Sequence, residues 1–188
     1  MACLPCIRGI IVLGDLPELR NISLMLPGLA LYRIPFPFIA EESYAEAKRS
    51  NGSGADLIFT GVLTDYRLTV CANMEKQGIS VKYSKAFVSR RRRDLLNRSA
   101  KLVLNIPQRQ GWRWLSAMRI ISALRSGRAT VSLATRDDSN IAKCCQQIDL
   151  AGKDWVNQIK NAVADWRNVY RESLEVYLQM ASDFEVRH

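Results

Sequence analysis

Short apolar segments alternate with segments of helical periodicity through the middle of the chain. Four apolar runs, at residues 57–60, 79–83, 102–106 and 129–133, have the length and composition of buried strands. Helical spacing of apolar residues appears between them at residues 65–77, 90–98 and 116–126. The alternation predicts an α/β fold, in which helices cover both faces of a Rossmann-like parallel sheet.

Local signals refine this prediction. Gly78 and Gly127 stand where a glycine commonly ends a helix, and Ser116 stands where a serine commonly begins one. Leu68, Cys71 and Met74 are expected to form the buried stripe of the first helix. Right-handed crossovers favour the spatial order 3-2-1-4 for the four strands numbered along the chain. Residues 140–145 are expected to form a further short helix.

The two ends of the chain have different patterns. Residues 10–13 predict a short strand, the prolines within residues 33–38 require an extended backbone, and residues 41–48 favour a short polar helix. From Lys153 onward the chain reads as helical. Its apolar stripe comprises Trp155, Ile159, Val163, Trp166, Tyr170, Leu174, Tyr177 and Leu178. With a flexible connector at residues 51–54, the predicted divisions are an N-terminal extension at 1–54, a nucleotide-binding domain at 55–150 and C-terminal helices at 151–188.

Composition and charge restrict the classes of function. The chain has 188 residues, of which 48% are hydrophobic, so a core can form. A formal net charge of +9 favours an anionic partner, such as nucleic acid, membrane headgroups or a phosphorylated small molecule. No apolar run reaches the roughly 18 residues of a transmembrane helix. We therefore expect no transmembrane segment and a cytoplasmic location.

The cysteines and the histidine argue against two kinds of site. Five cysteines without a regular framework indicate reduced thiols. Cys3 and Cys6 form a CxxC pair, but no second pair with zinc spacing follows, so we expect no metal site. His188, the one histidine, stands at the end of the chain and leaves a serine or cysteine nucleophile without a base.

The predicted carboxyl ends of the strands hold the candidate binding residues. Ligands of open parallel sheets bind beyond these ends. Gly61 follows the first strand and Asn105 lies in the third; Gly61 either admits a ligand or merely permits a tight turn. The helix beginning at Ser116 offers unpaired backbone N–H groups to an anion. The predicted nucleotide or diphosphate site comprises Gly61, Asn105, Ser116, Ala117, Met118 and Arg119.

Arginines and tryptophans near this edge leave alternatives open. Arg119 either contacts a phosphate, or is solvated or forms a structural ion pair. Trp112 and Trp114 either stack on a base or sugar, or pack the loop onto the core. A run of four arginines starts the second helix, where cations oppose the helix dipole. The run comprises Arg90, Arg91, Arg92 and Arg93, which either contact a nucleic-acid backbone or form a solvated basic patch.

Three stretches together resemble a known family. The first is residues 56–65 (DLIFTGVLTD), which precede a predicted helix and the segment Gly78-Ile-Ser-Val81. The second is residues 93–106 (RDLLNRSAKLVLNI), which predict a helix followed by a strand that ends in Asn. The third is residues 119–132 (RIISALRSGRATVS), which predict a helix, a glycine and a strand. This order resembles the donor-binding, C-terminal lobe of GT-B glycosyltransferases, in particular the spore-maturation-like family. The resemblance covers residues 56–132, and a helical tail like residues 151–188 often accompanies that lobe.

The resemblance implies a function, and the chain departs from it in two ways. It implies a nucleotide-sugar donor, bound as a substrate without a separate cofactor, with its diphosphate at the N-terminus of the Ser116 helix. Many members carry two glutamates around this helix, but the matching residues here are Trp114 and Ser122. Only about 55 residues precede the donor-like lobe, which implies a fragment, a truncated relative or a pseudoenzyme, with the acceptor lobe supplied by another protein if the domain is active.

Three functions therefore compete. The first is a glycosyltransferase-like domain that binds a nucleotide or nucleotide sugar and is inactive or weakly active alone. The second is a non-catalytic interaction protein on the same fold. The third is a nucleic-acid-binding module that uses the arginine run; the absence of recognisable nucleic-acid-binding motifs makes it the least favoured.

Overall fold

The computed structural model describes residues 7–13, 21–39, 45, 52, 54–84 and 88–187. These residues form two compact units, of which the larger is Ile39–Tyr177. The smaller unit contains the chain up to Phe38 and the chain from Leu178 onward. The helix expected at residues 41–48 (apart from Ala45), part of the connector at 51–54, the Cys3–Cys6 pair and His188 lie outside the described residues.

The smaller unit contains a two-stranded parallel sheet. Strand β1 (Gly9–Leu13) pairs with β2 (Ala30–Ile34), and a short helix α1 (Ile22–Met25) lies between them in the chain. The strand expected at residues 10–13 is thus confirmed. The proline segment after β2 has no regular secondary structure, as its fixed φ angles require.

The larger unit contains a five-stranded parallel sheet with helices between successive strands. Its strands are β3 (Ala55–Phe59), β4 (Val81–Tyr83), β5 (Ala100–Asn105), β6 (Thr130–Leu133) and β7 (Gln146–Ile148). Its helices are α2 (Asp65–Lys76), α3 (Arg90–Arg98), α4 (Ala117–Arg125), α5 (Trp155–Ala164) and α6 (Trp166–Arg187), the last of which continues into the smaller unit. The predicted parallel α/β class is confirmed.

The predicted strand order is wrong. The sheet runs β4-β3-β5-β6-β7, so the first four strands follow the order 2-1-3-4 instead of 3-2-1-4. The crossover rule fixes the handedness of each connection but not the edge to which a new strand is added. The short β4, whose Lys82 is exposed, fits an edge, whereas the buried β5 fits the interior beside β3.

Right-handed crossovers place the helices on both faces. The chain passes from β3 to β4 through α2 and returns past β3 to β5 through α3, so α2 and α3 cover opposite faces. Helix α4 connects β5 to β6 in the direction of the α3 crossover, and α3 and α4 contact each other. Gly78 and Gly127 adopt positive φ angles of 76° and 70° after α2 and α4, as expected for glycines that end helices.

The C-terminal helices pack where the apolar stripe predicts. Ile159, Trp166 and Tyr170 are buried, and the Tyr170 hydroxyl donates to the Leu124 carbonyl of α4 at 3.3 Å. Leu178 is exposed, which corrects that end of the predicted stripe. Residues 140–144 form a 3-10 helix, and β7 is a strand that the sequence did not predict because its Gln-Gln-Ile segment is short and polar.

Candidate functional site

A cleft lies at the point where the chain changes direction across the sheet. Strand β3 continues toward one edge through β4, and β5 continues toward the other edge through β6. The connections that leave the carboxyl ends of β3 and β5 therefore diverge, and ligands of open α/β sheets bind at such a switch point. The cleft there has a volume of about 360 Å³. It is lined by Gly61, Val62, Arg67, Asn105, Ile106, Pro107, Gln108, Trp112, Trp114, Leu115, Ser116 and Arg119.

The structure brings together most residues of the predicted site. Gly61, Asn105, Ser116 and Arg119 all line the cleft. Met118 instead lines a smaller neighbouring cavity, which also touches Ser116 and Arg119. Ala117 lines neither space, and as the first residue of α4 it belongs to the site only through its backbone N–H.

Arg119 is half-buried and only partly hydrogen-bonded. Its Nη1 donates to the Leu104 carbonyl at 3.1 Å, while its buried Nε has no hydrogen-bond partner among the described residues. Burial, with a further contribution from Arg67 and Arg93, lowers the pKa of Arg119 to about 10. The guanidinium therefore lies in a positive environment, which a bound anion would relieve.

The ring of Phe59 packs against the guanidinium group of Arg119. The fully buried ring lies 4.6 Å from the guanidinium carbon of Arg119 and 5.0 Å from that of Arg67. Both distances are within the range of cation–π attraction. A methyl group at Gly61 would lie 3.0 Å from Arg119 Nη2 and 3.1 Å from Phe59 Cζ. Close approach to these two side chains, rather than a positive φ angle, thus favours glycine at this position.

Arg67 is a site residue that the sequence analysis missed. Its Nε and Nη2 donate to the Ile106 carbonyl at 3.0 and 2.8 Å, and its Nη1 donates to the Val62 carbonyl at 2.7 Å. This buried side chain therefore joins the loops that follow β3 and β5. The buried face of α2 is Arg67, Val70, Cys71 and Met74, so placing Leu68 in the stripe was wrong. The helical spacing of Arg67, Cys71 and Met74 is the signal that could have identified Arg67.

Asn105 begins a hydrogen-bond network along the carboxyl edge. Its Nδ2 donates to Ser132 Oγ at 2.8 Å, and Ser132 Oγ lies 2.7 Å from Thr135 Oγ1, which donates to Gln147 Oε1 at 2.9 Å. The buried network links the ends of β5, β6 and β7. Asn105 is thus a residue that orders the floor of the cleft.

The loop before α4 forms one wall of the cleft. Trp112 and Trp114 are 44% and 37% exposed, so neither ring is buried in the core. Arg109 and Arg113 each stack on one of them, at 5.1 and 4.4 Å from the rings. The backbone N–H of Leu115 donates to Asp137 Oδ2 at 3.0 Å, which fixes the end of this loop. The exposed parts of the two indole rings, beside the stacked guanidinium groups, offer surface to a flat group.

The arginine run divides into two parts. Arg90, Arg91 and Arg92 are exposed, whereas Arg93 is half-buried and lines the smaller cavity beside Arg119. Ser89 caps the helix by accepting from the Arg92 N–H at 3.3 Å. The exposure of the first three arginines fits both alternatives for the run, a solvated basic patch or a contact to a nucleic-acid backbone, whereas Arg93 lies among the residues that line the smaller cavity.

Other chemistry is limited within the described part of the chain. Burial is the main cause that raises the pKa of Cys71 to about 11 and those of Cys144 and Cys145 to about 12, which makes them poor nucleophiles. No three histidine, cysteine, aspartate or glutamate side chains in the described ranges are arranged to hold a metal ion. None of the described helices is both long and apolar enough to cross a membrane.

The chain is similar in structure to a known glycosyltransferase, but at low sequence identity. No family model matches the chain, and no curated protein matches it. The crystal structure of AviGT4, a glycosyltransferase involved in avilamycin A biosynthesis, is similar with a TM-score of 0.42 and 15% sequence identity. The match covers 95% of this chain and 50% of that one, so the chain spans about half its length. Similarity this low does not bear on activity, which has to be inferred from the site.

Proposed function

We propose that the larger unit is a glycosyltransferase-like domain that binds a nucleotide or a nucleotide sugar in the cleft. The proposal includes the finer resemblance to the donor lobe of spore-maturation-like GT-B enzymes. The observation that carries it is the half-buried Arg119 at the switch point, with Arg67 beside it and no carboxylate among the described lining residues. A phosphate group fits this charge better than any neutral ligand.

The proposed pose uses the groups that the cleft offers. The first N–H groups of α4, at Ala117 and Met118, have no partner within the helix and suit the diphosphate oxygens. Arg119 adds a charge, and the absent side chain at Gly61 leaves room beside it. The exposed faces of Trp112 and Trp114 offer stacking surface to a base or sugar.

Sugar transfer is a separate question from donor binding. Transfer needs a donor and an acceptor held together in a near-attack geometry. The positions matched to the two family glutamates hold Trp114, which lines the cleft, and Ser122, which lines the smaller cavity, so neither supplies a carboxylate. We expect weak or absent transfer by this chain alone, and we assign no catalytic residue.

The test is a calorimetric titration of uridine, guanosine and adenosine diphosphates and their sugars. One of these ligands should bind and raise the melting temperature, because a ligand that binds only the folded state stabilises it. Arg119→Ala should weaken binding roughly 10- to 100-fold. Arg125→Ala is the matched control, because Arg125 is an exposed arginine at the other end of the same helix.

Two results would contradict the proposal. One is the absence of binding by any nucleoside diphosphate at millimolar concentration. The other is an affinity that Arg119→Ala leaves unchanged, or lowers no more than Arg125→Ala does. Because Arg119 also bonds Leu104 and stacks on Phe59, Arg119→Lys and the melting temperature without ligand must accompany the alanine variant. Binding of nucleic acid that depends on Arg90–Arg92 would instead favour the third hypothesis.

A further inference from the structure

A second, smaller cavity adjoins the cleft between helices α3 and α4. Its volume is about 90 Å³, which is several times what a single water molecule requires. Its polar lining comes from Thr60, Arg93, Asn97, Ser116, Arg119 and Ser122. Ser116 and Arg119 line the cleft as well, so the two spaces meet at these residues.

Three buried polar atoms of this lining have no hydrogen-bond partner among the described residues. They are Nε of Arg93, Nε of Arg119 and Oδ1 of Asn97. Asn97 is only 1% exposed, and its Nδ2 donates to Ser122 Oγ at 3.3 Å. Buried polar groups of native proteins almost always have partners. Three buried atoms without hydrogen bonds around one cavity are therefore available to a polar group of a ligand.

Charge decides which polar group fits. In the dinucleotide sites of Rossmann folds a carboxylate binds the ribose hydroxyl, whereas an arginine accommodates a phosphate on the ribose. Two arginines line this cavity, and no carboxylate does among the described residues. Asp94 is the nearby acid; it accepts from Ser122 Oγ at 3.4 Å and lies 4.0 Å from Arg93 Nε. One partly engaged carboxylate leaves the pair Arg93 and Arg119 with an excess of positive charge.

The remaining lining groups are compatible with an anion. The hydroxyls of Thr60 and Ser116 are donors, and the Ser116 side chain makes no capping bond to α4. The Asn97 amide presents an unpartnered oxygen, and a half-turn about its Cβ–Cγ bond would present its amino group to the cavity instead. Its oxygen would then accept from the Ser122 hydroxyl, whose single proton would turn from Asp94 to Asn97.

We propose that this cavity is a second phosphate subsite, which takes a phosphate ester on the ribose of the nucleotide bound in the cleft. The inference rests on the proposed function, because it needs a nucleotide whose diphosphate contacts Arg119 from the cleft side. The ligand class becomes nucleotides phosphorylated at the 2′ or 3′ position. Arg93 is its specificity residue, because it lines only the smaller cavity.

Matched nucleotide pairs test this subsite. The 5′-monophosphates of adenosine, guanosine and uridine are titrated beside the corresponding 2′,5′- and 3′,5′-bisphosphates. For at least one base, a bisphosphate should bind about tenfold more tightly than the monophosphate, as a charge-assisted contact provides. Arg93→Ala should abolish this gain, so that within this variant the bisphosphate binds no more tightly than the monophosphate. Arg92→Ala, which removes the same charge from the exposed neighbour, should preserve the gain.

The outcomes separate the two proposals. Equal binding of monophosphates and bisphosphates would overturn the second subsite, and so would a gain that survives in Arg93→Ala. In either case, retained binding of nucleoside diphosphates would leave the proposed function intact. Failure of every nucleotide to bind would overturn both. Arg93→Gln, with the melting temperature measured without ligand, distinguishes loss of the contact from loss of the fold.

Discussion

Arg128 and Arg119 stack on aromatic rings at opposite ends of the strands of the same sheet. The side of the sheet where the strands begin is called the amino edge here, and the side where they end is called the carboxyl edge. At the amino edge, Arg128 is fully buried and lies 4.5 Å from the Trp166 ring. Its donors bond the carbonyls of Ala100, Gly127 and Arg98. At the carboxyl edge, Arg119 lies 4.6 Å from Phe59 but bonds one carbonyl and keeps a buried Nε without a described partner.

The two arginines differ in how many of their donors the protein itself uses, and this difference separates a structural role from a binding role. The amino-edge arginine satisfies the backbone where α3, β5 and β6 meet, so it contributes stability. The carboxyl-edge arginine has donor capacity that the protein does not use, so it can contribute binding. Arg67, which donates to three carbonyls beside the cleft, lies between these extremes and orders the loops that Arg119 faces.

The largest effect should come from the ring at the amino edge. Trp166 is 4% exposed, and replacing it by alanine should lower the free energy of unfolding by about 3–5 kcal/mol, measured by urea denaturation. Trp112→Ala, in the exposed loop, is the control and should cost less than about 1 kcal/mol. Equal effects of the two variants would show that the amino edge is not the more tightly packed region.

Removing the buried arginine itself should have the next largest effect. Arg128→Met keeps much of the side-chain volume but leaves buried carbonyls without donors, which should cost about 2–4 kcal/mol in unfolding free energy. Nucleotide affinity of the folded fraction should not change. The exposed Arg136, paired with Asp149 at 2.9 Å, is the control; Arg136→Met should leave the free energy of unfolding nearly unchanged, because solvent screens this pair. A loss of affinity in Arg128→Met would remove the distinction between the two edges.

A small effect of opposite sign is expected at the carboxyl edge. Ala134 follows β6 with a φ of 56°, a left-handed conformation that disfavours residues with a Cβ atom. Ala134→Gly should therefore raise the unfolding free energy by about 0.5–1 kcal/mol, after the entropic cost of a glycine is deducted. Ala72→Gly, at an exposed position within α2, should lower it by about the same amount. A destabilised Ala134→Gly protein would mean that this edge stores no such strain.

The sequence was sufficient to predict the fold class and part of the site. Continuous apolar runs and terminal glycines indicate local structure directly, which is why the predicted strands and helices agree with the observed ones. Placing the candidate residues at the carboxyl ends needed only the parallel arrangement. Four of the predicted residues therefore line one cleft: Gly61, Asn105, Ser116 and Arg119. Their role in binding stays a prediction.

What the sequence missed depends on contacts between distant segments. The side of β3 on which β5 is added changes the strand order from 3-2-1-4 to 2-1-3-4 and moves the switch point to β3 and β5. No local pattern encodes that choice. Arg67 reads as a surface residue until the carbonyls of Val62 and Ile106 meet it. Arg93 reads as one of four equal arginines until the packing of α3 on α4 separates it from the other three.

The most direct measurement follows the arginine Nε–H resonances by NMR during a titration with the nucleoside diphosphate that binds best. The account predicts that the Arg119 Nε–H signal shifts, together with the backbone amides of Gly61, Ala117 and Met118, because a phosphate at the switch point reaches all of them. The Arg128 signal should stay in place, since its donors are already bonded at the other edge. Shifts confined to Arg90, Arg91 and Arg92, with Arg119 unmoved, would contradict the central claim that the ligand binds at the switch point.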